Sequence, residues 1–305
     1  MRRMLCLAAL CLAAGAFSML MSGTAFAQTP VKEPVIDSAP GRVGYGRAAT
    51  IAGHLEGFTP GDEVSLQRLR GDVWTTLVTK AVDEQGAVTF RVTDLYRTAS
   101  FRLSYTDPTA GSESISDPRR VAVRARLTLS LSRAHVMQGR TVTVSGRLLP
   151  VAGARPVVIQ HRVSGDWRTL GTAYARDGRY GLRFDANRIG YHPVRARFRG
   201  DDTNSAARKT TPLRVYNPAL ATWYGPGFYG NSTACGQTLT TSTLGVAHRW
   251  LPCGTKVAVL FEGRTIVVPV IDRGPYSRAD WDLTQEAAER LGFSGTDTIG
   301  VTRTN

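Results

Sequence analysis

Asp272 follows an apolar, β-branched run, Ile266-Val267-Val268-Pro269-Val270-Ile271, and precedes the turn Arg273-Gly274-Pro275-Tyr276. A carboxylate at the mouth of an apolar strand is a candidate for general acid chemistry. The same carboxylate has a second use, accepting hydrogen bonds from the N–H groups of its own turn. Asp282, in Trp281-Asp282-Leu283-Thr284, reads as a structural cap for the helix that follows it in preference to a catalytic group. Cys253 and His248 would make a thiol–imidazole pair, but Cys253 has Cys235 available as a partner. No Cys-x-x-Cys or His pair stands at ligand spacing, so neither a metal nor another cofactor is expected.

These groups need a scaffold of strands. Pro269 has no N–H to give a central ladder, which predicts a seam or edge position for the Asp272 strand. Ala221-Thr222-Trp223-Tyr224-Gly225 reads as a second strand, with Trp223 and Tyr224 on opposite faces and one of them in the core. Gln285–Leu291 reads as a short helix, capped by Thr284 or Asp282 and stopped by Gly292. Thr298–Thr302 supplies a closing strand.

The 305 residues are enough for two or three domains. Residues 1–27 have the form of a secretory signal peptide: Met1-Arg2-Arg3, an apolar run, then Ala25-Phe26-Ala27. Cys6 and Cys11 would leave with it. Cys235 and Cys253 remain as an even pair in an exported protein, where a disulfide is the default. Residues 28–41 are Pro-rich and polar and read as an exposed linker.

Two related units follow, residues 42–125 and 126–217. Gly46, Gly53, Gln67, Trp74 and Leu77 recur 93 positions later as Gly139, Gly146, Gln160, Trp167 and Leu170. Short alternating strands with turn signals every 8–12 residues predict tandem Ig-like β-sandwiches. Trp74 and Trp167 suit either ligand stacking or a shared packing role. Of the net +14, residues 126–217 carry 17 Lys+Arg against 5 Asp+Glu. That basicity, on strands such as Val194–Gly200, is either a solvated face or a contact for anionic envelope polymers. Secretion argues against nucleic acid, and no membrane contact is expected after signal cleavage.

Residues 218–305 change composition. The string Trp223-Tyr224-Gly225-Pro226-Gly227-Phe228-Tyr229-Gly230, with Thr233-Ala234-Cys235-Gly236-Gln237, Ala247-His248-Arg249, Leu251-Pro252-Cys253-Gly254, Val270-Ile271-Asp272-Arg273-Gly274-Pro275-Tyr276 and Trp281-Asp282-Leu283-Thr284, resembles the RlpA-like double-psi β-barrel family. More distantly it resembles expansins and barwin-type proteins. The resemblance implies a six-stranded barrel with one short helix and a groove for a glycan, making the chain all-β. It places Asp272 on the family's acid and His248 on a groove histidine, with Tyr224, Gln237 and Arg273 as substrate-binding positions. Where the family carries a further acid, this chain has Gln237, and an amide does not transfer protons at useful pH. Two-carboxylate hydrolysis is therefore disfavoured. A lytic transglycosylase needs less, because the attacking C6 hydroxyl belongs to the sugar being cut. The resemblance thus implies a monomeric, extracytoplasmic cell-wall enzyme acting on peptidoglycan glycan strands. The competing expectation is a non-catalytic, expansin-like glycan-binding protein.

Overall fold

The computed structural model describes residues 31–304. The expected signal peptide lies outside the described residues. No helix among those described is long and apolar enough to cross a membrane.

The first sandwich sets a three-stranded sheet (Pro34–Ser38, Arg47–Leu55, Ala87–Leu95) over strands Glu63–Arg70, Val73–Ala81, Ala99–Thr106 and Arg119–Arg124. Its core includes Ile51, Leu66, Phe90, Phe101 and Leu103, all essentially inaccessible. The second sandwich repeats the plan around Val144, Val157, Ile159, Ala196 and Phe198. Gly53 and Gly146 show why a glycine recurs. A Cβ on Gly53 would stand 2.1 Å from the Val35 carbonyl oxygen, and one on Gly146 would stand 2.2 Å from that of Thr128. In each unit a neighbouring segment's backbone lies where a side chain would go.

The exposed arm expected for residues 28–41 is corrected. Pro34–Ser38 is a strand, antiparallel to Arg47–Leu55 with Ile36 opposite Gly53, and Ile36 is buried. Proline is tolerated there because it is the strand's first residue. The repeated tryptophans have a packing role. The Arg102 guanidinium lies 4.6 Å from the Trp74 ring while bonding Gln67, and Arg195 lies 4.0 Å from Trp167 while bonding Gln160. All three members of this set recur at the same offset of 93.

The two sandwiches share one ten-stranded sheet, joined where Arg124 pairs with Ser205. Asn204, fully buried, donates to the carbonyls of Tyr96 and Val123 in the first unit. Buried Arg155 forms an ion pair with Asp201 at 2.8 Å.

The C-terminal unit is a closed six-stranded barrel. In ring order its strands are Arg214–Tyr224, Trp281–Thr284, Val246–Ala247, Arg264–Asp272, Lys256–Phe261 and Asp297–Arg303, the last pairing back to the first. Val246, Val257, Val259, Val268, Val270, Leu283 and Ile299 fill it. The Asp272 strand is interior, not at the seam or edge expected from Pro269. The Val270 N–H donates to Thr255 on one side. Position 269 therefore faces the other side, one residue before the short strand Val246–Ala247 begins to pair there. The missing N–H leaves no gap in the ladder.

Arg214–Tyr224 runs without interruption from the second sandwich into the barrel, so the expected boundary at 217/218 falls inside a strand. Its first residues pair in parallel with His135–Met137. A small shared core of Tyr216, Met137, Ala258 and Leu260 seals the junction, and His135 Nδ1 meets the Tyr216 hydroxyl at 2.7 Å. The helix spans Gln285–Leu291. Thr284 is its cap, accepting from the Ala287 N–H, and Gly292 ends it in the left-handed region at φ 69°.

Candidate active site

The register of four neighbouring barrel strands puts Asp272 and Asp282 on either side of Ala247. Ala247 pairs with Asp272 in one direction and Asp282 in the other, and Asp282 pairs onward with Thr222. Two strand spacings separate the two aspartates, about 10 Å at Cα on a flat sheet. The small side chain of Ala247 leaves the floor between them open. Above it lies a cleft of about 450 Å³, lined by both carboxylates together with Tyr224, Phe228, Thr233 and Tyr276. That volume lies within the range of small-molecule and single-sugar sites.

The two carboxylates are held differently. Asp272 Oδ1 accepts from the N–H groups of Ala234 and of Arg273, each at 2.8 Å. The turn bonding anticipated from the sequence is thus present, but it engages a single oxygen. Oδ2 takes no protein hydrogen bond among the described residues. Asp282 is more deeply set. Burial pushes its pKa up to about 6, opposed by a 2.8 Å hydrogen bond from the Thr222 hydroxyl and reinforced by the charge of Asp272. Asp282 is therefore not the helix cap that the sequence suggested. Thr284, adjacent to the helix, takes that place, and the alternation of buried Trp281 and Leu283 turns Asp282 to the opposite face.

Two further polar atoms point to a ligand. The hydroxyls of Tyr224 and Thr233 are buried at the cleft without a hydrogen-bond partner among the described residues. Burial drives the Tyr224 pKa upward, and the charges of Asp272 and Asp282 drive it further, as does the hydroxyl's approach to the Asp272 carboxylate, which falls outside hydrogen-bond geometry; the hydroxyl therefore stays protonated and available as a donor. Unpaired buried hydroxyls are costly unless something else satisfies them. Trp223 was expected opposite Tyr224, with one of the two in the core. Both line the cleft, and Trp223 is 37% exposed, because this end of the strand reaches the barrel rim.

Of the other expected site residues, Arg273 borders the cleft and His248 and Gln237 sit elsewhere. His248 is not among the lining residues. Its Nδ1 accepts the N–H groups of Trp250 and Leu251, at 3.1 and 3.0 Å, and its ring packs 4.3 Å from that of Trp281. Burial, with nearby Arg249 and Arg303, lowers its pKa and keeps the imidazole neutral. Its own backbone N–H donates to the Asp272 carbonyl, so it braces the strand that carries the acid. His248→Ala is expected to cost about 1–3 kcal/mol by orphaning two N–H groups. The check is thermal unfolding beside a pH–activity profile, whose shape should not move. Gln237 is exposed, and only its backbone carbonyl is engaged, by the Thr233 N–H. Arg273 borders the cleft, but its guanidinium bonds the Leu251 carbonyl at 3.0 Å and approaches Cys253 Sγ at 3.5 Å.

Cys235 and Cys253 form the expected disulfide. It ties down Ala234, whose N–H holds Asp272. Replacing both cysteines by serine is expected to cost about 3 kcal/mol for a loop of this length and to lower turnover as well. Denaturant unfolding and an activity assay on the same sample would show whether both fall. Among the described residues no three His, Cys, Asp or Glu side chains gather to hold a metal.

A family model described as lytic transglycolase matches residues 218–303. The "Probable endolytic peptidoglycan transglycosylase RlpA" of Synechocystis is 45% identical over 77 residues, 24% of this chain and 24% of that protein. The Aquifex aeolicus protein of the same description is 44% identical over 81 residues, 26% of this chain and 36% of its own length. The "Endolytic peptidoglycan transglycosylase RlpA" of Pseudomonas aeruginosa is 42% identical over 84 residues, 27% of this chain and 25% of that protein. The chain thus spans about a quarter to a third of the length of the curated relatives it matches. With the closed six-stranded ring and these relatives agreeing, residues 218–303 are an RlpA-like double-psi β-barrel.

Proposed function

We propose that this chain is an exported cell-wall protein whose barrel cleaves peptidoglycan glycan strands by lytic transglycosylation. The observation that carries the reading is the pair of unlike carboxylates facing one open cleft across Ala247. Two acids held in unlike surroundings are the usual basis for dividing acid and base roles. The single acid/base expected at Asp272 becomes a division of labour. Asp282, its pKa raised to about 6, holds a proton on the acid side of neutrality and delivers it to the glycosidic oxygen as the C1–O bond breaks. Asp272, with Oδ2 unengaged, takes the proton of the C6 hydroxyl as that oxygen bonds to C1. The product is a 1,6-anhydro sugar, no water is consumed, and the two protons re-equilibrate with solvent. Because attacker and target share one ring, no activated water has to be positioned.

Tyr224 and Thr233 supply hydroxyls for the sugar's polar substituents. Trp223, Phe228 and Tyr276, all exposed at the cleft, offer apolar faces for pyranose rings. His248 and Arg273 act as positioning residues. The sandwiches serve as a spacer or wall anchor, and the second contacts anionic envelope polymers.

The test is incubation of the protein with isolated peptidoglycan and mass analysis of the soluble products. Anhydro-muropeptides support the reading. Binding to the glycan with no product supports the expansin-like alternative, to which the amide at Gln237 lends its weight.

A further inference from the structure

We infer that one face of the second sandwich, centred on Arg197 and Arg208, binds a phosphodiester polymer of the cell envelope. The two arginines are directly opposite each other on strands Val194–Gly200 and Ser205–Thr211. Opposed residues of an antiparallel pair stand about 5 Å apart at Cα. Arg195 and Arg199 flank Arg197 on the same face, about 7 Å away along the strand. Arg197, Arg199 and Arg208 are exposed, and none has a side-chain hydrogen bond or ion pair among the described residues. Beyond Arg208 the charge continues into a shallow depression of about 390 Å³, where Arg124 and Arg126 join it.

The first sandwich is an internal control for what the fold itself requires. Ninety-three positions earlier, the Arg197–Arg208 pair is Ser104–Ile115, in the same register. Arg199 is Thr106, and the residue opposite Thr106, Glu113, is replaced in the second unit by Ala206. The Trp–Arg–Gln packing set is common to both units, so Arg195 is accounted for by the fold. The other three arginines and the lost glutamate are not. Like charges placed directly across a strand pair cost stability. The second unit carries that cost at a face where its twin carries none, so the charges answer to something outside the chain.

Chemistry selects the ligand. One guanidinium fork satisfies both oxygens of a carboxylate, whereas adjacent forks can share one phosphate. Repetition of cations along the strand suits a polymer over a single anion. The phosphate chemistry stands on this face alone; the envelope source rests on the proposed action of the barrel.

The experiment uses the full chain and fluorescent polyphosphate, titrated over a range of salt. Arg197→Ser with Arg208→Ile installs the first unit's own residues and is expected to weaken binding at least tenfold. The slope of log affinity against log salt should become shallower by about two. Arg140→Ser with Arg183→Ser removes the same charge at the other sheet, where neither arginine opposes another, and is expected to leave affinity unchanged. Equal losses in both variants, or loss in neither, would overturn the site. If the first variant folds poorly, Arg208→Gln alone is read by the same criteria. Polyglutamate bound as tightly as polyphosphate would overturn the phosphate chemistry. A single-stranded oligonucleotide preferred over a poly(glycerol phosphate) would overturn the envelope source. Failure of the barrel to release anhydro-muropeptides leaves the polyphosphate result standing, so the two readings fail separately.

Discussion

Asp272→Asn is expected to lower anhydro-muropeptide release by roughly 10²–10⁴-fold, the usual contribution of a positioned proton-transfer group. The substitution is close to silent for the fold. An asparagine Oδ1 still accepts from the N–H groups of Ala234 and Arg273, the two bonds that fix the carboxylate now. What changes is the other atom, where an amide nitrogen replaces an oxygen able to take a proton. Thermal unfolding should therefore match the parent chain while turnover collapses and glycan binding persists. Equal turnover by parent and variant would remove Asp272 from the chemistry.

Asp282→Asn should move activity and stability in opposite directions. Burial holds this carboxyl's pKa at about 6, above its ordinary value. The folded chain thus binds the proton more tightly than the unfolded chain between about pH 4 and pH 6. Stability is greatest below that window, falls as pH rises through it, and above pH 6 carries the full cost of an ionised, half-buried acid. Asparagine keeps the Thr222 hydrogen bond and has no charge to desolvate. After allowing for solvent screening at a partly exposed group, the variant should gain about 1 kcal/mol at pH 7.5. For a domain of this size that is roughly 4–8 °C in Tm. No gain is expected at pH 3.5. Activity should fall by a factor comparable to that of Asp272→Asn, because the proton donor is gone. In the parent chain the same assignment predicts activity declining as pH rises past about 6. A parent profile flat from pH 5 to 8 would take the donor role away from Asp282.

The barrel was legible because its markers are contiguous. The Asp272 turn, the Cys235–Cys253 pair and the Gln285–Leu291 helix are all visible one residue type at a time, as is the offset of 93 that relates the two sandwiches. Asp282 was misread because two signals compete in one tetrapeptide. A carboxylate just before a helix looks like a cap, yet Trp281 and Leu283 on either side of it already indicate a buried strand with Asp282 turned to the opposite face. Thr284, nearer the helix, leaves it free. His248 could not be placed from sequence, since its partners are backbone N–H groups two and three residues on, and bonds of that kind depend on loop geometry. The buried hydroxyls of Tyr224 and Thr233 were equally hidden. An unpaired donor is defined by what fails to surround it, and that is known only once the chain has closed on itself. The strand at Pro34–Ser38 was masked by polar, Pro-rich neighbours, although the glycine that admits its backbone stood in the repeat at Gly53.

The uninterrupted strand Arg214–Tyr224 has a consequence for avidity. A flexible tether between two binding surfaces lets each find its target over a range of separations, at an effective concentration set by tether length. Here the junction is hydrogen-bonded β-structure, so cleft and arginine face are held at one separation and one angle. Simultaneous engagement is then a matter of geometric match. A polymer mesh presenting both ligands at that span would gain from both, and one presenting them at another span would gain from neither. Lengthening the junction by a few residues would trade this selectivity for reach without altering either surface.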